Sequence, residues 1–66
     1  MSVAKVLELT ARSNESFEDA IKQGIAKATD SVRNVQAAWI KEQKVEVQNG
    51  SITSFQVDMK VTFLID

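Results

Sequence analysis

Asn49-Gly50 lies between two extended runs, and this dipeptide constrains the fold more than any other feature of the 66 residues. Both central residues of a type I′ turn need a positive φ, which Asn and Gly tolerate best, so Asn-Gly between alternating segments signals a two-residue β-hairpin. The hairpin is read from Gln36 to Ile65. An unbroken ladder from that turn pairs Gln48 with Ser51, then Gln43 with Gln56, Lys41 with Asp58, Ile40 with Met59 and Trp39 with Lys60. Side chains alternate between faces with period two. One face therefore carries Ala38, Ile40, Phe55, Val57, Met59, Val61, Phe63 and Ile65, which is a core face. The other carries Trp39, Lys41, Gln43, Val45, Val47, Ile52, Ser54, Gln56, Asp58 and Lys60. It joins the only tryptophan to amide side chains on the side turned away from the core.

Upstream, Val3 to Thr10 reads as a first strand with Val3, Leu7 and Leu9 on one face and Ala4 and Val6 on the other. A strand apolar on both faces is either buried twice or part of an interface. Ser13 and Ser16 are both able to cap a helix, and Ser16 followed three residues later by Asp19 has the form of a capping box. From Phe17 the period becomes helical. Phe17, Ala20, Ile21, Gly24, Ile25, Ala28, Val32 and Val35 fall on one stripe of a helix of some five turns. Gly24 in the middle of that stripe implies close approach to a strand, and Asn34 serves near the helix end. The expected architecture is α+β, a single β-α-β-β domain over residues 1–66. A right-handed crossover leaves room for strand three between strands one and two, giving a three-stranded antiparallel sheet of order 1-3-2 packed on one helix.

A chain this short buries only about 60% of the surface its unfolded form exposes. Without cysteine or histidine it has neither disulfides nor a zinc site to compensate, which points to self-association. Eight basic and nine acidic residues give a net charge of −1, unlike the basic footprint of a nucleic-acid binder. Val61 to Ile65 is too short an apolar stretch for a membrane span. The N-terminal residues lack the pattern of a secretory signal, so a cytoplasmic location is expected.

The absence of His, Cys and Tyr removes the usual nucleophile and base pairs. Glu18 and Asp19 belong in the first turn of a helix, where the dipole favours acids. No glycine-rich phosphate loop and no calcium-loop spacing is present, so the chain is not expected to be an enzyme and no metal ligands are assigned. Trp39 has two readings. It is either a core or interface tryptophan, or a flat stacking surface beside Gln43 and Gln56, whose amides offer both donors and acceptors. The second arrangement suits a planar heteroaromatic ligand such as a flavin or a nucleobase.

Three stretches in order, Ser16-Phe17-Glu18-Asp19-Ala20-Ile21, Ala38-Trp39-Ile40-Lys41-Glu42-Gln43 and Phe55-Gln56-Val57-Asp58-Met59-Lys60-Val61-Thr62-Phe63, resemble the dodecins, small bacterial and archaeal flavoproteins, over the whole length. The resemblance implies a β-α-β-β subunit assembled into a hollow homo-dodecamer, with flavins stacked between tryptophans of neighbouring subunits. It also implies a role in flavin storage or sequestration. On that pattern Trp39 is the stacking residue and Gln56 the glutamine that hydrogen-bonds the isoalloxazine edge, with riboflavin or FMN as ligand and coenzyme A left open as a second one. In many flavin-binding relatives the tryptophan stands two residues earlier, at the position of Ala37. A displacement of two keeps the strand face and moves the ring by about 6–7 Å. Relatives that bind the FMN phosphate often have a basic residue where this chain has Leu64, which leaves Lys44 as the candidate phosphate partner. Relatives that lack the tryptophan are associated with cations, so a flavin-free structural or cation-binding shell of the same fold is the alternative.

Overall fold

The computed structural model describes residues 2–65. Its elements are β1 (Ala4–Ser13), α1 (Phe17–Ser31), β2 (Val35–Gln48) and β3 (Ser51–Leu64). The three strands form one antiparallel sheet of order β1-β3-β2, the expected topology. The helix lies on one face, and the opposite face of the sheet is bare.

Asn49 and Gly50 make the hairpin turn with φ of 52° and 78°. A Cβ built on Gly50 meets nothing within 4 Å, so the glycine is needed for its backbone conformation alone. Gly50→Ala is expected to destabilise the fold by about 1–2 kcal/mol, the cost of holding an L-residue in the left-handed region. Denaturation at fixed protein concentration measures the effect, and an unchanged midpoint would contradict the argument.

Two boundaries differ from the sequence reading. β1 continues through Ala11, Arg12 and Ser13, which pair with Val57, Gln56 and Phe55. α1 stops at Ser31, one turn early. Val32 is its extended cap (φ −133°), and its N–H donates to the Ala28 carbonyl at 2.9 Å. Val35 already belongs to β2, opposite Phe63. The helical stripe was thus extended into two β-branched residues that favour strand, and Asn34 at φ 62° redirects the chain between them.

Of the two candidate caps only Ser16 caps the helix, while Ser13 ends β1 and braces the turn before it. Ser16 is the N-cap, its Oγ accepting from the Asp19 N–H at 2.9 Å. Buried Ser13 donates its hydroxyl to Asp19 Oδ2 at 2.6 Å and accepts from the Glu15 N–H at 2.9 Å. Gln23 Nε2 donates to the same carboxylate oxygen at 2.6 Å. The Ser13 hydrogen bond, then that of Gln23 and the charge of Lys22, hold the Asp19 carboxyl below its ordinary value of 3.8. A carboxyl whose folded pKa is depressed stabilises the fold above its unfolded pKa, and the contribution disappears as pH falls through the folded value. Ser13→Ala should move the Asp19 midpoint upward in a carbon-detected NMR titration. A midpoint that stays where it was would remove Ser13 as the cause.

The core is formed by Val57, Met59 and Val61 of the central strand against Ala20 and Ala28 of the helix. Each of the three large side chains is fully buried, worth at most about 1.5–3 kcal/mol apiece. Leu7, Leu9, Ile21, Ile25, Val35 and Ile40 close around them, and Phe17 meets Phe55 edge to face at 5.2 Å. Gly24 lets the helix settle onto the sheet. An added Cβ would come within 2.8 Å of Met59 Cε, 3.1 Å of Leu9 Cδ1 and 3.3 Å of Ala11 Cβ.

The ladder between β2 and β3 corrects the sequence reading in its middle. It begins with Gln48 opposite Ser51 and Val47 opposite Ile52, and it ends with the expected Ile40–Met59 and Trp39–Lys60 pairs. Between them one residue of β3 and one of β2 are left out of the pairing. Thr53 is skipped, its Oγ1 donating to the Glu46 carbonyl at 3.3 Å, and Lys41 is skipped on the other strand. Gln43 therefore stands opposite Val57 and not Gln56, and Glu42, not Lys41, stands opposite Asp58. Val45 faces Phe55 on the helix side of the sheet, not the bare face where the unbroken ladder put it. A further skip at Gln36 separates the Val35–Phe63 and Ala37–Thr62 pairs.

Beyond Ser13–Phe55, the last pair made by β1, the hairpin continues as a two-stranded arm. The molecule is 51 Å long and only 13 Å in its thinnest dimension. Val47 and Ile52 near the tip are 58% and 54% exposed, too apolar and too thinly supported for an arm that stands alone in water.

Candidate functional site

The bare face of the sheet is built in rows, because residues opposite one another in the ladders point the same way. One row is Glu8, Lys60 and Trp39; the next is Thr10, Asp58 and Glu42; a third is Arg12, Gln56 and Lys44. Trp39 is 60% exposed, so it is not a core residue of the subunit. The ammonium of Lys60 lies over its ring at 5.5 Å from the centroid. Lys41 reaches across the sheet to Glu8, Nζ to Oε2 3.4 Å.

Asp58 organises the middle row. Its Oδ1 accepts from Thr10 Oγ1 at 2.8 Å and from Gln56 Nε2 at 3.3 Å. These donors offset the repulsion of Glu42, a like charge directly opposite. Gln56 is only 8% exposed, and its amide retains further donor and acceptor capacity after the bond to Asp58. A cleft of about 230 Å³ is lined by Glu42, Gln43, Lys44, Gln56 and Asp58.

The structure thus places Gln56 and Lys44 side by side; Gln43 borders the same cleft but stands opposite core Val57, on the helix side of the sheet and not on the bare face, so the Gln43–Gln56 facing pair does not form. Trp39 lies apart from them. Its partner Lys60 is four residues from Gln56 along β3, about 13 Å of strand, so Trp39 and Gln56 of one subunit are not in contact. Thr10, Glu8 and Arg12 were missed by the sequence reading, since no turn fixes how β1 aligns with β3. The polar positions Glu8, Thr10 and Arg12, alternating with Leu7, Leu9 and Ala11, were the available signal. Among the described residues no group of three or more acidic side chains is arranged to hold a metal ion, and no helix is long and apolar enough to cross a membrane.

Comparison with known proteins places these features in context. The family model described as Dodecin matches residues 3–66. The calcium dodecin of Mycobacterium tuberculosis is 30% identical over 63 residues, covering 96% of this chain and 89% of that protein. Its crystal structure, described as that of a calcium-chelating antigen with a novel calcium-binding site, matches with a TM-score of 0.84 over 98% of this chain and 93% of the other. A dodecin from Streptomyces davaonensis matches with a TM-score of 0.92 at 29% identity, covering 98% and 96% of the two chains. A variant of the Thermus thermophilus dodecin matches with a TM-score of 0.93 at 27% identity, covering 100% and 98%.

Proposed function

The chain belongs to the dodecin family, and from that premise we propose that it is a non-catalytic flavin-binding protein that stores or sequesters riboflavin or FMN. The observation that carries the reading is the 60% exposed Trp39 on a sheet face with no helix over it. An indole in that position is a stacking platform, and a planar heteroaromatic ring is the ligand chemistry it serves. Gln56 supplies amide hydrogen bonds to a ring edge. Lys44 beside it is the partner for a phosphate, and Gln43 completes the rim. The separation of Trp39 from Gln56 along the strand supports a ligand shared between subunits, with the platform from one and the amide from another.

The same reading makes the protein a closed homo-oligomer, a dodecamer on the family's pattern, with the apolar tip residues Val47 and Ile52 at subunit contacts. The purified protein is expected to be yellow, or to turn so when riboflavin is added, with a flavin absorption band co-sedimenting in a species many times heavier than a 66-residue monomer. A colourless oligomer that takes up no flavin would instead favour a flavin-free shell. The calcium dodecin relative and the facing carboxylates of Glu42 and Asp58 support cation binding in that case. Calcium titration of the same preparation separates these outcomes.

A further inference from the structure

Resting on the flavin reading, we propose that Lys60 is a lid on the Trp39 platform that a stacking ligand must displace, and that Glu8 is the seat to which its ammonium moves. Two contacts and one register carry this. The Lys60 ammonium sits over the indole at 5.5 Å, a distance at which a cation is held by the ring's electron-rich face. A planar ligand stacked on that face needs the space the ammonium occupies, so binding and the cation–π contact exclude each other. Glu8 is the direct ladder neighbour of Lys60 on β1, on the same face of the sheet. Its carboxylate already holds Lys41 at 3.4 Å and is itself half exposed, so it is within a cross-strand neighbour's reach of the Lys60 side chain and has room for a second donor. The ligand therefore exchanges a cation–π contact for an ion pair and does not have to strand a charge. Such a lid discriminates by shape and not by charge. It yields to a rigid, wide ring that covers the indole, and it stays shut against small aromatic solutes that gain too little by stacking to move it.

The test is riboflavin affinity across a series at one position, followed by flavin fluorescence, with sedimentation confirming an unchanged assembly. Lys60→Met, which cannot cap the ring with a charge, should bind riboflavin about two- to fivefold more tightly. Lys60→Arg, whose planar guanidinium stacks on aromatic faces, should bind it more weakly than the unaltered protein. Glu8→Gln should weaken binding while Lys60 is present and have no effect in the Lys60→Met background, a coupling that a merely structural role for Glu8 would not produce. In the ligand-free protein, Lys60→Met should shift Trp39 emission, because a charge beside the indole is lost. Equal affinities for the Arg, Lys and Met forms would overturn the lid and leave the flavin site standing. Failure of the unaltered protein to bind riboflavin at all would remove both.

Discussion

Trp39→Ala is expected to weaken riboflavin binding by about 1–3 kcal/mol, the range for removing an aromatic platform from a stacked base. The dissociation constant should rise roughly 5- to 150-fold, while the assembly stays intact. The two halves of that expectation have one cause. The indole is 60% exposed on the face opposite the helix, so truncating it deletes stacking area without opening a cavity in the Val57–Met59–Val61 core. In the unaltered protein, binding should quench both the tryptophan and the flavin, since stacked indole and isoalloxazine exchange energy and charge on contact. Gln56→Ala should cost about 0.5–1.5 kcal/mol of affinity, the net value of a neutral hydrogen bond. That side chain is nearly buried and also donates to Asp58, so its removal leaves Asp58 with Thr10 as its remaining donor. Titration of the flavin signal decides the matter. Full affinity in Trp39→Ala would make the tryptophan a bystander, and an unfolded variant would make it a structural residue.

Met59→Ala should be the most damaging single change to stability, at about 2–5 kcal/mol. Its side chain is fully buried at the centre of the middle strand, and its Cε is the atom closest to where a Cβ on Gly24 would stand. The pair should be strongly non-additive. In the normal background Gly24→Ala gains about 1 kcal/mol in helix propensity, but it places a methyl 2.8 Å from Met59 Cε and 3.1 Å from Leu9 Cδ1, and overpacking of that kind costs about 1–3 kcal/mol. With Met59 truncated the first obstacle is gone, and the same methyl partly fills the space left behind. Gly24→Ala should therefore stabilise the Met59→Ala protein. Chemical denaturation of all four forms at one protein concentration measures the coupling. Simple additivity would mean that the helix and sheet re-space freely and that Gly24 is not what sets their distance.

The architecture was legible in the sequence because every level agreed. Asn49-Gly50 fixed a turn, the alternation from Phe55 to Ile65 named a strand and its inner face, and the stripe from Phe17 to Ala28 named a helix and the face it buries. The helix end was less legible, since Val32 and Val35 continue the helical spacing by coincidence and are drawn into extended backbone. The middle of the hairpin ladder was not legible at all. From Lys41 to Lys44 the residues are polar in both registers, so the exchange of Lys44 for Val45 opposite Phe55 is the one hydrophobic difference between the straight ladder and the one with two skipped residues. Past the turn pairs Gln48–Ser51 and Val47–Ile52, only the stretch from Ile40–Met59 to Ala37–Thr62 keeps the register of the unbroken ladder, and beyond it the skip at Gln36 sets Val35, not Gln36, opposite Phe63. For the site, Trp39, Gln56 and Lys44 were visible as residue types on one hairpin. Lys60 over the ring and the donors from β1 depended on a strand pairing with no turn to announce it.

The skipped residues at Thr53 and Lys41 have an evolutionary consequence. Each shifts the ladder by one position and the two shifts cancel, so Ile40 and everything toward the helix keeps the alignment it would have without them. The stretch from Glu42 to Glu46 is thereby insulated. Glu42 and Lys44 border the cleft, and the one-position offset of this stretch is confined between the two skips and does not reach the pairs from Ile40–Met59 to Ala37–Thr62. Replacements there alter what the surface offers to a small molecule while the folding pattern is inherited unchanged. Substitutions at Glu42 and Lys44 are thus separated from the register of the central core pairs by a skipped residue on either side.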